Sequence, residues 1–122
     1  MFLHIKDVLT PEEITFFRQA LGPQAPWIEG ARSAGGQAIH QKNNLQLAQG
    51  SELSAQLQTM VKAALHRNAL FFSAALPRRI YNPLFNNYGD GANFYGNHVD
   101  SAVMHSKADN CWVRSDLSCT LF

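Results

Sequence analysis

A chain of 122 residues is the size of one ordinary domain, and its 46% hydrophobic against 16% charged residues sets it apart from disordered polymers. A formal net charge of +1, with Arg78-Arg79 the only adjacent basic pair, excludes a global electrostatic pull toward nucleic acid or an anionic membrane. No apolar run approaches the roughly 20 residues that a membrane-spanning helix needs.

The opening Met1-Phe2-Leu3-His4-Ile5-Lys6 is too short and too polar for a secretory leader, and Phe2 to Ile5 predicts a short strand. Thr10-Pro11-Glu12-Glu13 is a helix start: Thr10 caps, Pro11 suits the first helical position, and Glu13 completes a capping box. Ile14, Phe17 and Leu21 then share one face, and Gly22-Pro23 ends the helix. Trp27 and Ile28 begin a strand, residues 30–36 read as a loop, and residues 38–44 read as a weakly patterned second strand. Ser51 caps a second helix whose buried stripe is Leu53, Leu57, Met60, Val61, Ala64 and Leu65, fraying near Asn68. Such a stripe is core.

After Pro77 the composition turns to aromatic and extended-favouring residues. Pro83 argues against an uninterrupted central strand over residues 80–88. Gly89-Asp90-Gly91 is turn chemistry, and residues 93–103 read as a strand returning beside 80–88. Residues 110–122 form a third extended stretch, with Val113, Leu117, Cys119 and Leu121 mostly on one side. The fold class is α+β, helices leading and strands following. Because an apolar strand pattern runs to Leu121-Phe122, the natural domain is expected to continue, or a partner chain, such as a second copy, to cover that strand edge. Cys111 and Cys119 make neither a disulfide framework nor a zinc spacing, so a cytoplasmic protein with reduced thiols is expected, and Cys119 reads as a small core residue.

The chemistry concentrates in His98-Val99-Asp100. On a strand, residues two apart project to the same face, so this imidazole and this carboxylate are aimed at one point. They are two thirds of a two-histidine, one-carboxylate facial triad, which holds Fe(II) and leaves coordination positions open. HxD alone is a weak motif; a strand setting behind a glycine turn raises its weight. Asn86 and Tyr88 share a face by the same parity, and a hairpin of the right register would bring an amide and a phenol beside the metal. The plain alternative is a turn asparagine and a strand tyrosine.

The segments Pro83-Leu84-Phe85-Asn86-Asn87-Tyr88, Tyr95-Gly96-Asn97-His98-Val99-Asp100-Ser101-Ala102-Val103 and Trp112-Val113-Arg114-Ser115-Asp116-Leu117-Ser118-Cys119-Thr120-Leu121-Phe122 closely resemble the PKHD-type hydroxylases, prolyl-4-hydroxylase-like Fe(II)/2-oxoglutarate dioxygenases. The Val8-Leu9-Thr10 helix entry, Lys42-Asn43-Asn44 and residues 69–77 extend the resemblance along the chain. It implies a double-stranded β-helix (jelly-roll) core with the N-terminal helices packed outside, residues 1–77 being mixed support and 78–122 the first core strands. It implies iron on His98 and Asp100, with 2-oxoglutarate contacted by Tyr88 and, less firmly, Asn86. It implies a reaction in which dioxygen and 2-oxoglutarate give succinate and hydroxylate a C–H bond of a prolyl or other peptidyl side chain, ascorbate restoring Fe(II). In this family the second iron histidine and the basic residue for the distal carboxylate of 2-oxoglutarate lie well beyond HxD, so the chain looks like the N-terminal portion of a member.

His105 is the nearest further imidazole, expected beyond a strand end and facing solvent; His4, His40 and His66 are poorer ligand candidates. Arg114 and Asp116 predict an ordinary same-face ion pair, while Arg114, Arg78 and Arg79 are weaker candidates for a carboxylate partner. A non-catalytic jelly-roll module that binds metal or a partner, or an inactive fragment lacking the second iron histidine, stands as the alternative to the dioxygenase.

Overall fold

The computed structural model describes residues 2–30, 42–89, 94–95, 100–107 and 109–122. Its elements are α1 (Pro11–Ala20), β1 (Trp27–Glu29), β2 (Lys42–Asn43), β3 (Leu45–Leu47), α2 (Glu52–Arg67), α3 (Ala69–Ala75), β4 (Asn86–Asn87), β5 (Phe94–Tyr95), β6 (Val103–Ser106) and β7 (Cys111–Arg114). Helices and short antiparallel ladders make a mixed α and β protein, with two compact units: residues 1–28 and 47–85, and residues 29–46 and 86–122.

The first unit holds the helices and the apolar core. Thr10 caps α1 as its sequence predicts: its hydroxyl accepts from Glu13 N–H at 3.2 Å, and its own N–H donates to Glu13 Oε2 at 2.9 Å. Glu13 is also bound by Arg67 from the last turn of α2, in a two-pronged ion pair, and Arg67 donates further to the Val8 carbonyl at 3.2 Å. That pairing and the capping bond hold the Glu13 carboxyl down, from the usual 4.5 to about 2.

Leu57, Val61, Ala64 and Leu65 of α2 are buried with Phe17, Leu47, Val8 and Ala25; Leu53 and Met60 flank them. Complete removal of Leu57 from solvent contributes roughly 2 kcal/mol of apolar transfer. Ile14, assigned to the same helix face as Phe17, stays 42% exposed, so the buried stripe of α1 is narrower than its spacing implies. Strand edges in this unit are joined by Ala48 N–H to the Pro26 carbonyl and Leu47 N–H to the Phe85 carbonyl, both 2.9 Å.

One expectation fails here. Residues 2–5 form no strand, and Phe2 lies open to solvent; apolar character without a ladder partner does not make a strand. The second helix ends at Asn68 as expected, but Asn68 does more than terminate it. It closes α2 and caps a third helix, its Oδ1 accepting from Phe71 N–H at 2.9 Å. Leu76 ends α3 at φ 43°, ψ 53°, the left-handed conformation usually taken by glycine.

The second unit is built from three ladders. Leu45 faces Asn87 and Gln46 faces Asn86 across β3 and β4; Lys42 faces Tyr95 and Asn43 faces Phe94 across β2 and β5. β6 and β7 form a hairpin pairing Val103 with Arg114 through Ser106 with Cys111. Its turn is fastened by the Ser106 hydroxyl donating to Asp109 Oδ2 at 2.9 Å, with Asn110 at φ 48°, a conformation asparagine tolerates. The ladder closes where Ser115 N–H donates to the Ala102 carbonyl at 2.8 Å, and residues 115–122 form no strand. Cys119 is therefore exposed, not core, because no strand alternation carries it inward. Arg114 Nε and Asp116 Oδ1 make the expected pair at 2.8 Å, with both side chains largely in solvent.

Candidate functional site

Of the residues singled out for chemistry, Asn86, Tyr88 and Asp100 lie among the described residues; His98, His40, Asp90 and Gly91 lie outside them, as do residues 31–36 and 38–41 of the expected loop and strand. Asp100 is exposed and lies ahead of β6, outside any strand. The long strand expected over residues 93–103 is thus replaced, in its described part, by β5 and by irregular backbone at 100–102. Among the described residues β4 pairs with β3 and β5 pairs with β2; the turn of the expected hairpin, residues 90–93, lies outside them.

His105 is a further correction. It sits within β6, opposite Trp112, and their rings meet edge to face with centroids 5.1 Å apart. It is held by a strand and an aromatic neighbour, not carried on a loop. Among the described residues no group of three or more His, Cys, Asp or Glu side chains is placed to hold a metal ion.

The feature with the most definite geometry surrounds Asn86. Asn44 and Gln46 point inward around β3 and are 4% and 0% exposed. Asn44 Nδ2 donates to Asn86 Oδ1 at 3.0 Å, and Gln46 Nε2 donates to the same oxygen at 3.0 Å. The Asn44 amide is itself oriented, since Nδ2 also donates to the Leu45 carbonyl at 3.1 Å. Its Oδ1 has no hydrogen-bond partner among the described residues and packs over Gly30. Gly30 in turn donates its N–H to the Asn44 carbonyl at 2.7 Å. A Cβ on Gly30 would overlap Asn44 Oδ1, and would lie 2.6 Å from Asn44 Cγ and 2.9 Å from its backbone oxygen. Only glycine allows this approach.

Asn86 as a whole is exposed, while its Oδ1 is held by two buried donors. Tyr88 follows two residues later, just past β4, with about half its surface (49%) open. β4 stops at Asn87, so Tyr88 stands one residue past the strand that holds Asn86. Asn44 and Gln46 were not singled out as functional. The signal for them was an Asn-Leu-Gln alternation in which two amides share one face of a short strand.

No family model matches the chain. Curated proteins do. A PKHD-type hydroxylase of Variovorax paradoxus (strain S110) is 51% identical over all 122 residues, which are 53% of its own length. A PKHD-type hydroxylase of Aliarcobacter butzleri (strain RM4018) is 47% identical, and PKHD-type hydroxylase YbiX of Escherichia coli (strain 55989 / EAEC) is 48% identical, each over the same 122 residues and the same 53% share. The chain spans about half the length of the curated relatives it matches.

Proposed function

We propose that this chain, similar from end to end to PKHD-type hydroxylases, is the N-terminal portion of an Fe(II)- and 2-oxoglutarate-dependent dioxygenase that hydroxylates a C–H bond, its substrate a prolyl or other peptidyl side chain. The observation that carries the reading is the 46–51% identity to proteins of that name over every residue of the chain. In this reading the small antiparallel ladders are the opening strands of a double-stranded β-helix, with the helical unit as its support. The protein works in the cytoplasm, binding a small-molecule co-substrate and a peptide or protein, with neither nucleic acid nor membrane as a partner. The exposed edge of its strands is available to a second copy of the chain.

His98 and Asp100 would hold the iron. Asp100, an exposed residue ahead of β6, would supply the carboxylate of that pair. Asn86 and Tyr88 would hold the keto acid. The amide fits an acceptor oxygen, since its Oδ1 is already engaged by Asn44 and Gln46 and its Nδ2 would be the group left to donate. The bound iron and keto acid supply the oxidising power, drawn from dioxygen with release of succinate and carbon dioxide, and ascorbate maintains the ferrous state. What this chain would supply is placement: a carboxylate for the metal and neutral donors for an anion.

The test is anaerobic mixing of Fe(II) and 2-oxoglutarate with the chain carried in a protein of the relatives' length. A metal-to-ligand absorption band is expected, and Asp100→Ala should abolish it. An extended protein that folds yet shows neither the band nor 2-oxoglutarate consumption would overturn the reading.

A further inference from the structure

The Asn86 amide can in principle sit in either of two orientations related by a flip, presenting oxygen or nitrogen outward. The choice decides whether it donates to an anion or repels it. In this structure a chain of hydrogen bonds makes the choice. A backbone carbonyl can only accept, so the Leu45 carbonyl requires that Asn44 turn its Nδ2 toward it. That same Nδ2 then needs an acceptor at Asn86, which places Asn86 Oδ1 inward. Gln46 Nε2 donates to that oxygen as well. A flipped Asn86 would set its NH₂ against two donors, with both partners buried and without water to relieve them. Asn86 Nδ2 is the group this leaves for a ligand, on a residue that is exposed.

We infer that Asn44 and Gln46 are positioning residues, which lock the Asn86 amide so that its Nδ2 donates to a carboxylate or keto oxygen of the co-substrate. This rests on the dioxygenase reading above and deepens it. The two buried amides do not touch the ligand; they set the direction of the one that does. The Gln46–Asn86 cross-strand pairing holds the two side chains on one face at a fixed separation. The donor is therefore in place before the ligand arrives, and no rotamer has to be selected on binding.

Two variants separate donor from lock. Asn86→Asp keeps an oxygen for Asn44 and Gln46 but turns the outward donor into a charged acceptor. Gln46→Met keeps the length and burial of the side chain but removes one of the two locking donors. The assay titrates 2-oxoglutarate into ¹⁵N-labelled protein of the relatives' length, with Zn(II) in place of Fe(II), following the Asn86 side-chain NH₂ resonances and the dissociation constant. Thermal midpoints report folding of each variant. In the unsubstituted protein the Asn86 NH₂ signals are expected to move on addition of the keto acid. Asn86→Asp should weaken binding by about tenfold or more, the usual consequence of losing a hydrogen bond to a charged group. Gln46→Met should broaden the Asn86 signals and weaken binding by about threefold to tenfold, raising KM for 2-oxoglutarate with little change in kcat.

Binding with the Asn86 signals unmoved, or equal affinity in both folded variants and the unsubstituted protein, would overturn the inference while leaving the dioxygenase reading intact. Absence of any 2-oxoglutarate binding would overturn both. Should Gln46→Met fail to fold, the unsubstituted titration and Asn86→Asp still decide whether the outward amide donates.

Discussion

Gly30→Ala is the substitution that most directly probes the packing beneath Asn86. The added methyl would overlap Asn44 Oδ1 and come within 2.6 Å of Cγ and 2.9 Å of the backbone oxygen. The side chain can yield only by leaving its bonds to Leu45 and Asn86, at 3.1 and 3.0 Å. Overpacking of a filled site costs about 1–3 kcal/mol, and each hydrogen bond surrendered adds about 0.5–1.5 kcal/mol. Part of that sum is recovered by relaxation, so about 2–3 kcal/mol is the expected loss. In urea unfolding, with a slope of about 1–3 kcal/mol per molar, the midpoint should fall by roughly 1 M. Asn44→Ala removes the clashing oxygen and Cγ, and Gly30→Ala made in that background should cost at least about 1 kcal/mol less. Rescue should be incomplete, because the contact at 2.9 Å is with backbone and remains. A Gly30→Ala protein within about 0.5 kcal/mol of the parent, or the same penalty in both backgrounds, would refute the claim that Asn44 is wedged against Gly30.

Two further outcomes follow from the helical unit. Leu76→Gly should stabilise by about 0.5–1 kcal/mol, measured by chemical denaturation, because Leu76 is 73% exposed and its φ of 43° penalises a Cβ more than the added freedom of the unfolded chain offsets. The Glu13 carboxyl, depressed from 4.5 to about 2 chiefly by its hydrogen bond to Arg67, contributes stability that is complete above pH 4.5 and lost as pH falls through about 2. Acid titration of stability should show that loss flattened in Arg67→Gln; an identical acid profile would deny the pairing its role.

Local signals were legible where one residue and its immediate neighbours decide the outcome. Thr10, Pro11 and Glu13 make α1 begin where they stand, and Ser51 with its following apolar stripe makes α2. What escaped was decided at distance. Nothing local to residues 86–87 says that they pair with residues 45–46 at a separation of about forty residues. The third helix escaped for a different reason: Ala69–Ala75 has no buried residue, so no apolar stripe advertises it, and Asn68 already had a use as the end of the preceding helix. His105 was misplaced because a strand beginning at Val103 was read as one ending there. At the candidate site, Asn86 stood out by resemblance, but the partners that orient its amide did not, because two amides either side of a leucine read as solvent-facing until their burial is known. His98 lies outside the described residues, and its ligand role rests on its motif.

The double duty of Asn68 has a consequence for how this chain can change. Its N–H closes one helix on the Leu65 carbonyl while its side chain opens the next on Phe71. A single extra residue at this corner would split the two tasks between neighbours, and neither neighbour would have both a backbone donor aimed back and an amide oxygen aimed forward. Insertions, which surface connections usually absorb, should therefore be scarce between Arg67 and Ala69.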